Sequence, residues 1–534
     1  MSGGVDGLST MLGIQWRTRR RSITVWVLAL SASMVGTAAA VAGLYDTPAK
    51  IHTYAAAVTS GRALQAINGR VEGIDSLGGV IQDEFGFLAA FVMPLLGISL
   101  VASLTRREEE TGRLETLLGG RIARAVPPLA AMVLAGGAIV VTAAAFAVGL
   151  VAAGVPGAAA VLYSASLGLL AYVFAGVAAL LAQLALHARG VYTSSLVLLA
   201  GAYLLRGIGD VTNTPLTWLS PLGWAEKAAP FGPMRWWALA IPLLVGTVAA
   251  GAGLALAGAR DVGSALVRGG GGPAHASAFL RRPCGLATWI HRPALLGWLA
   301  AAVLLAATMG ALSRQMLDAL SGNPALASAV GASTARPVDG LVAMVQLYVA
   351  IIATGYAVQA VGTLRAEEAA GRLEPRLAGT VSRARWLGVH TVVILAGLAV
   401  IIGVASLVLA WTTAGSLRAF EPDGGVDVGG VILAGFAYLP AEATLAALAF
   451  ALFGLRPRAF PAVWVVYAAT TFIAFLGAGL KLPSWVLDLA AMTHIGNPPL
   501  GSAPGPALAW LTAAALLLVA AAFAGFRRRG IPQA

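Results

Sequence analysis

The stretch RREEETGRLETLLGGRIARA, residues 106–125, occurs a second time as RAEEAAGRLEPRLAGTVSRA, residues 365–384. Eleven of the twenty aligned positions are identical, at an offset of 259 residues. Farther along the chain the offset is 269, because Arg189 matches Arg458 and Arg260 matches Arg529. One insertion near 413–428, where the second copy has the longer loop, accounts for the change. The chain is therefore an internal repeat of two halves, residues 1–265 and 266–534.

The composition around these stretches is that of a membrane protein. Of the 534 residues, 58% are hydrophobic and 11% are charged, whereas soluble proteins carry about 25% charged residues. A helix needs about 20 apolar residues to cross a bilayer, and a segment in lipid must satisfy its own backbone hydrogen bonds. We therefore predict an all-α polytopic membrane protein with twelve transmembrane helices, near 22–42, 86–104, 128–153, 158–186, 190–209, 234–258, 294–313, 341–363, 387–412, 429–453, 459–480 and 506–526.

Arginine-rich loops set the expected orientation. They alternate with arginine-poor loops, and positively charged loops stay in the cytoplasm, so we place both termini, both repeated stretches and the linker around 261–292 there. Six spans per half is an even number, so the halves are parallel and related by an axis along the membrane normal. The net charge of +12 is thus mainly a topology signal and does not indicate a nucleic-acid partner.

The N-terminal apolar run resembles a signal peptide, because it follows Arg19, Arg20 and Arg21. It extends from Ser22 to Ala42, which is longer than the about 7–15 residues of a signal-peptide core. We expect it to be retained as the first span.

Several chemical functions lack the residues they require. The single cysteine, Cys284, allows no intrachain disulfide, and the six scattered histidines show no metal-ligand spacing. None of the lysines, Lys50, Lys227 and Lys481, stands in the Gly-x-x-x-x-Gly-Lys-Ser/Thr motif of a P-loop. We therefore expect no metal, no cofactor and no ATPase in this chain, and we find no clustered nucleophile and base that would indicate a membrane enzyme.

The repeated stretch places its charges at helical spacing. One interpretation is a solvated interfacial helix whose charges pair at i, i+4, such as Glu109 with Arg113. The other is a pair of docking elements for a two-fold partner. Two matched copies on one side of the membrane favour docking.

A span that leads into Glu-x-x-Gly-Arg-Leu-Glu, followed by an arginine and a further span, resembles the coupling segment of ABC-2-type exporter permeases. The doubled six-span form is similar to actinobacterial exporters of polyketide antibiotics, the tetronasin-like group of multidrug efflux permeases. Trp218-Leu-Ser-Pro-Leu-Gly-Trp224 with Arg235-Trp-Trp is also similar to that group. The second half departs from the pattern, with Met492-Thr-His-Ile-Gly496 in place of Ser-Pro-Leu-Gly.

The resemblance implies an ABC-2 exporter fold in a bacterial plasma membrane, with coupling segments at 105–125 and 364–384. It also implies a separate ABC ATP-binding subunit, two copies per chain, which would bind the ATP and Mg that this chain does not. Efflux of antibiotics would be its role, and the chain itself would not be an enzyme. The residues expected to contact that subunit are Glu108, Glu109, Arg113, Glu115, Glu367, Glu368, Arg372 and Glu374.

In this family the substrate path is expected between the halves, along the second and fifth spans of each. Aromatic side chains with a few polar groups suit hydrophobic or amphipathic molecules, although each aromatic alone also fits helix packing or contact with membrane lipids. Trp218 and Trp224 are expected at an outer gate or in an interfacial aromatic belt. The candidate path residues are Phe87, Phe91, Tyr203, Gln346, Tyr348, Tyr356, Gln359, Tyr467, Phe472 and Phe475.

Glu442 suggests an alternative to the ATP-driven exporter. A carboxylate at mid-bilayer costs roughly 2.5–3.5 kcal/mol on insertion scales, so this residue should be protonated, paired or facing a cavity. Its aligned residue in the first half is Val173, so it is not part of the shared scaffold. The competing functions are a proton-coupled secondary transporter that uses Glu442 and an exporter of lipid or cell-envelope components.

Overall fold

A computed structural model describes residues 7–59, 68–119, 122–267, 275–314, 316–317, 337–379, 381–418, 426–477, 482–501 and 503–530. Within these ranges every regular element is a helix, which confirms the all-α prediction. Eleven helical segments of the described chain are long and apolar enough to cross a membrane. Arg121, Gly269 to Gly272 and Lys481 lie outside the described residues.

Contacts divide the chain into two compact units, Met1–Gly271 and Gly272–Ala534. The helices of the first unit are α1 (Leu8–Leu44), α2 (Pro48–Thr59), α3 (Leu77–Leu104), α4 (Arg106–Glu110), α5 (Arg113–Leu118), α6 (Val126–Ala152), α7 (Gly157–Leu184), α8 (Ala188–Thr212), α9 (Pro221–Lys227) and α10 (Ala240–Ala259). Those of the second unit are α11 (Pro283–Ala311), α12 (Pro337–Ala369), α13 (Leu373–Leu377), α14 (Arg383–Arg418), α15 (Val428–Phe436), α16 (Leu439–Leu455), α17 (Ala462–Leu476), α18 (Ser484–Leu487) and α19 (Gly505–Arg528).

The two units use the same packing scheme. In the first, α1 packs on α6, α3 on α7, and α7 on α10; in the second, α11 packs on α14, α12 on α16, and α16 on α19. The most buried long helices are α7 and α12, whereas α10, α11 and α19 expose most of their surface. An exposed apolar face is what a lipid-facing helix requires, because lipid tails are as apolar as leucine.

The described part of the predicted eleventh span, 459–480, is a short helix. Pro457 and Pro461 interrupt the chain before α17, and the helix itself has 15 residues, fewer than the about 20 that a span needs. The aligned helix α8 of the first unit has 25 residues. Eleven long segments are therefore found in the described chain where the sequence predicts twelve, and residues 478–481, where this predicted span ends, lie outside the described residues.

Small residues allow α7 and α10 to approach closely. A Cβ built on Gly176 would lie 2.4 Å from the carbonyl oxygen of Gly246, and one on Gly253 would lie 2.8 Å from the carbonyl carbon of Ala179. Contact through small residues is a common basis of helix association in lipid.

We expect Gly176→Val to push α7 and α10 apart and to destabilise the first unit by about 1–3 kcal/mol, the usual cost of overpacking. Gly251→Val is the matched control, because nothing lies within 4 Å of its built Cβ. The measurement is the apparent unfolding temperature of each purified variant in detergent. Equal temperatures for the two variants would contradict the prediction.

Candidate functional site

The two repeated stretches have the same local structure. In the first copy α4 and α5 are separated by Gly112, whose φ is +72°, and in the second copy Gly371 has a φ of +69°. Only glycine adopts this left-handed conformation without steric cost. The leucine two residues after each glycine is buried, Leu114 at 8% and Leu373 at 1% exposure. Each stretch therefore turns sharply at a glycine and is anchored by a leucine.

Each copy also contains a buried ion pair with the last long helix of its own unit. Glu109 accepts hydrogen bonds from both terminal nitrogens of Arg260, at 2.7 and 2.6 Å. Glu368 accepts from both terminal nitrogens of Arg529, with Nη2 to Oε2 at 2.6 Å. We call these two bidentate pairs the clasps. They join the repeated stretch to the end of α10 in the first unit and of α19 in the second.

A second matched contact supports each clasp. Arg124 donates to the backbone oxygen of Arg260 at 3.1 Å, and Arg383 donates to that of Arg529 at 2.7 Å. These donors come from the segments that lead into α6 and α14. In each unit the clasp arginine is therefore held by its side chain and by its backbone carbonyl.

The exposed charges of the two copies form a matched pair of surfaces. The Arg113 and Arg372 side chains are 65% and 58% exposed, and Glu115 and Glu374 are also exposed. We call Arg113 with Glu115, and Arg372 with Glu374, the exposed pairs. They present one cation and one anion at the same place in both copies.

Glu108 and Glu367 are largely buried and orient these arginines. Glu108 lies 3.0 Å from Arg19 and 3.7 Å from Arg113, and Glu367 lies 2.8 Å from Arg372. Arg113 thus pairs with Glu108, and not with Glu109 as the helical spacing suggests, because Glu109 is turned towards Arg260. Of the eight residues predicted to contact a partner, the structure leaves the exposed pairs accessible and places Glu109 and Glu368 inside the clasps.

The first repeated stretch also contacts the start of α8, through a residue that the second stretch does not have. Glu110 accepts a hydrogen bond from the backbone nitrogen of Ala188 at 2.9 Å, at the start of α8, and lies 3.1 Å from the His187 ring nitrogen. A carboxylate at a helix N-terminus satisfies free N–H groups there. Ala369 occupies the aligned position of the second copy and cannot make this contact.

Two of the predicted path residues, Phe87 and Tyr203, line a small cavity of about 30 Å³ in the first unit. Its polar lining, which was not predicted from the sequence, includes Asn68, Gln82, Tyr163, Arg206 and Glu226. Arg206 lies within a predicted span, and an ionisable residue at that depth is itself a signal of a functional site. Phe91 packs against the hydrophobic core of the first unit.

Arg206 forms a buried charge cluster at this pocket. Its Nη1 lies 2.9 Å from Glu226 Oε1 and 3.8 Å from Asp210 Oδ2, and Thr217 donates to Asp210 Oδ1 at 3.1 Å. Burial raises the pKa of Glu226 to about 8, and the charge of Asp210 adds to the increase while Arg206 opposes it. Among the described residues, two carboxylates thus share one guanidinium, and burial favours the protonated form of Glu226.

In the second unit, several predicted path residues have structural contacts. Gln346 is buried and donates to Val431 O at 2.8 Å, Tyr356 lies in the hydrophobic core, and Tyr467 donates to Ile351 O at 3.0 Å. Gln359 accepts from the Trp298 indole at 2.7 Å. These contacts tie helices together within the unit.

Three other predicted path residues of this unit are more exposed. Tyr348 lies 5.3 Å from Phe475 between ring centroids, and Phe472 and Phe475 are half exposed. They form an aromatic surface along α12 and α17.

Glu442 is fully buried in α16, and no described residue hydrogen-bonds either carboxylate oxygen. In the first unit Trp218 and Trp224 lie together, because the Trp224 indole donates to Trp218 O at 2.7 Å. Trp218 also stacks on Trp237, with ring centroids 6.1 Å apart. The two predicted gate residues thus belong to one exposed aromatic cluster.

Comparison with known proteins agrees with this architecture. The family model described as "Multidrug efflux system permease Rv1217c, C-terminal domain" matches residues 8–256 and 280–527, one stretch in each unit. The multidrug efflux system permease protein Rv1217c of Mycobacterium tuberculosis is 32% identical over 538 residues, which cover 99% of this chain and 96% of that protein. The chain therefore belongs to the family of multidrug efflux system permeases.

Proposed function

We propose that this chain is the permease subunit of an ATP-driven exporter of the ABC-2 type. It would move hydrophobic or amphipathic compounds, of the kind represented by polyketide antibiotics, out of a bacterial cell across the plasma membrane. Energy would come from two copies of a separate ATP-binding subunit, one beneath each repeated stretch on the cytoplasmic side. The observation that carries the proposal is the pair of matched clasps, each with an exposed pair of charges beside it.

Three features of the matched stretches favour a two-fold partner. The glycine turn, the buried leucine and the clasp recur in both copies, so both present their exposed pairs in the same local geometry. An exposed arginine and glutamate offer complementary charges to a protein surface, and such charges steer association and set register. The sequence contains no P-loop that could bind ATP, so an ATP-driven cycle requires another subunit.

The clasps define a separate role for Glu109 and Glu368. A partner could touch these carboxylates only by breaking buried, bidentate ion pairs, which is strongly unfavourable. We therefore assign partner contact to the exposed pairs, with Glu108 and Glu367 orienting their arginines. The clasps would transmit movement of the repeated stretches to α10 and α19.

The test is purification of the tagged chain from its native membrane, with measurement of co-eluting ATPase activity. We expect an ATPase to co-elute with the intact chain, and Glu115→Lys combined with Glu374→Lys to release or uncouple it, because both reversals place a cation beside the exposed arginine. The matched control is Asp46→Lys, a reversal of a 57% exposed side chain in the outer segment of the first unit.

The control variant should retain the ATPase at the level of the intact chain. The coupling assignment is contradicted if no ATPase co-elutes with the intact chain, or if the double reversal retains both ATPase binding and ATP-driven transport.

Glu442 favours a second candidate function, proton-driven transport, because a fully buried acid within a spanning segment often marks a proton pathway. This candidate predicts substrate accumulation in vesicles that have a proton gradient and no ATP. It also predicts that Glu442→Gln abolishes that accumulation. Transport that requires ATP and survives Glu442→Gln would exclude it.

A further inference from the structure

We propose that Gln183 is a positioning residue that fixes the clasp of the first unit, and that the clasp of the second unit, where a leucine replaces it, is the one that opens when the repeated stretches move. The inequality of the clasps deepens the proposed export function, because it gives the two coupling stretches different roles. Those roles rest on that function, whereas the inequality itself is measurable without ATP.

The clasp arginines differ in what holds the third nitrogen of the guanidinium. Arg260 Nε donates to Gln183 Oε1 at 2.7 Å, and Gln183 is only 2% exposed. In the second unit Leu452 stands at the position aligned with Gln183, and the buried Nε of Arg529 has no hydrogen-bond partner among the described residues. Buried polar groups normally have one. Gln183 thus orients Arg260, and the second clasp lacks this hydrogen bond.

The carboxylate of the first clasp has two further donors. Glu109 accepts from Arg106 Nη1 at 2.8 Å and from the backbone nitrogen of Gly263 at 2.7 Å. Arg106 and Arg260 both donate to the backbone oxygen of Ser264, at 2.9 and 2.7 Å. The first clasp is therefore joined to the linker segment that follows α10, by hydrogen bonds that each require a defined direction.

The second clasp has aromatic neighbours in place of these hydrogen bonds. Of the described residues, only Arg529 hydrogen-bonds to the Glu368 carboxylate. Arg529 lies 5.2 Å from the ring centroid of Phe453 and 5.1 Å from that of Phe526, at positions where the first unit has aliphatic residues. An aromatic face attracts a cation without fixing the direction of its N–H groups. The Arg529 guanidinium can therefore turn on these rings.

These differences decide which clasp opens. The first repeated stretch can move away from α10 only if several buried bonds to charged groups break together, which is strongly unfavourable. Beyond the backbone contact that both units share, the second stretch has to break only the ion pair of Glu368 with Arg529. The first stretch therefore moves with α10 and the linker as one body, and the second stretch opens and closes at its clasp.

The test is hydrogen–deuterium exchange of the purified full-length chain in nanodiscs without ATP, measured by mass spectrometry. Gly112 and Gly371 are matched reporters, because the backbone nitrogen of each donates to the backbone oxygen of its clasp glutamate at 3.0 Å. Each rate is corrected for the intrinsic exchange rate of the local sequence. We expect Gly371 to exchange about tenfold or more faster than Gly112, the usual effect of losing a hydrogen bond to a charged group.

Two reciprocal substitutions separate the effect of Gln183 from general stability. Gln183→Leu copies the second unit and should speed exchange at Gly112 about tenfold, with Gly371 unchanged as the internal control. Leu452→Gln copies the first unit and should slow exchange at Gly371, a gain of protection that a poorly folded protein cannot show. Gln82→Leu is the matched control, since it also replaces a buried glutamine and should change neither reporter.

Equal protection of Gly112 and Gly371 in the intact chain would overturn the proposal, and so would a folded Leu452→Gln variant in which Gly371 exchanges as before. With a co-eluting ATPase, added ATP should speed exchange at Gly371 and leave Gly112 unchanged, and an equal increase at both would contradict the roles assigned to the clasps. If Gly371 exchanges faster but no ATPase co-elutes, the inequality of the clasps stands and the ATP-driven mechanism fails. If an ATPase co-elutes and the two glycines are equally protected, the mechanism stands and the inequality fails.

Discussion

Glu368→Arg is expected to destabilise the second unit by about 3–5 kcal/mol, the usual cost of leaving one partner of a buried ion pair uncompensated. The Glu368 and Arg529 side chains are 5% and 14% exposed, so little water is available to solvate the two cations that would then face each other. The apparent unfolding temperature in detergent should fall by on the order of 10 °C. Arg529→Glu should have a similar effect.

The double variant Glu368→Arg with Arg529→Glu should recover part of this loss, because it restores opposite charges. Recovery should be incomplete, because Arg529 also lies 5.2 Å from the Phe453 ring and 5.1 Å from the Phe526 ring, and a glutamate cannot make these cation–π contacts. The matched control is the swap of Lys50 and Asp46, which form a solvent-exposed ion pair. Each single reversal in this surface ion pair should lower the free energy of unfolding by less than about 1 kcal/mol. If charge reversals in the clasp and in the Lys50–Asp46 surface ion pair lower the unfolding temperature equally, the clasp is not a stabilising contact.

Arg206→Gln should also lower the free energy of unfolding by about 3–5 kcal/mol, because it removes the cation that the described residues place beside the buried Asp210 and Glu226. Combining it with Asp210→Asn and Glu226→Gln should recover most of the loss, since a fully neutral cluster has no unpaired charge. The measurement is again the apparent unfolding temperature of each purified variant.

Arg235→Gln is the control for this series, because Arg235 pairs with Glu72 at 2.7 Å where both side chains are partly exposed. Arg235→Gln should lower the free energy of unfolding by less than about 1 kcal/mol. A triple neutral variant that is less stable than Arg206→Gln alone would contradict the assignment of Arg206 as the counter-charge of the two buried carboxylates.

The sequence predicts the helical class and the repeat well, because both are properties of short, contiguous patterns. Long apolar runs need no knowledge of their neighbours to be recognised as membrane helices. The apolar run near 459–480 does not by itself fix where a helix begins, since the run contains Pro461 and follows Pro457, and the described helix α17 begins only at Ala462.

The candidate site was predicted only in part. Charged residues at helical spacing indicate a polar surface, and the exposed pairs follow that pattern. Glu109 and Glu368 carry the same charge as their neighbours, yet each is buried against an arginine that lies 151 or 161 residues farther along the chain. No local pattern distinguishes a carboxylate that faces solvent from one that faces such a partner.

The sequence by itself determined the membrane class, the internal repeat and the two matched charged stretches, because composition and spacing encode these properties locally. The tertiary structure alone decided which acids are buried in clasps, that Arg206, Asp210 and Glu226 meet beside Gln82 and Tyr163, and that this pocket belongs to one unit. The physical reason is that burial and ion pairing depend on which helices pack together, and packing brings together residues that are far apart in the chain.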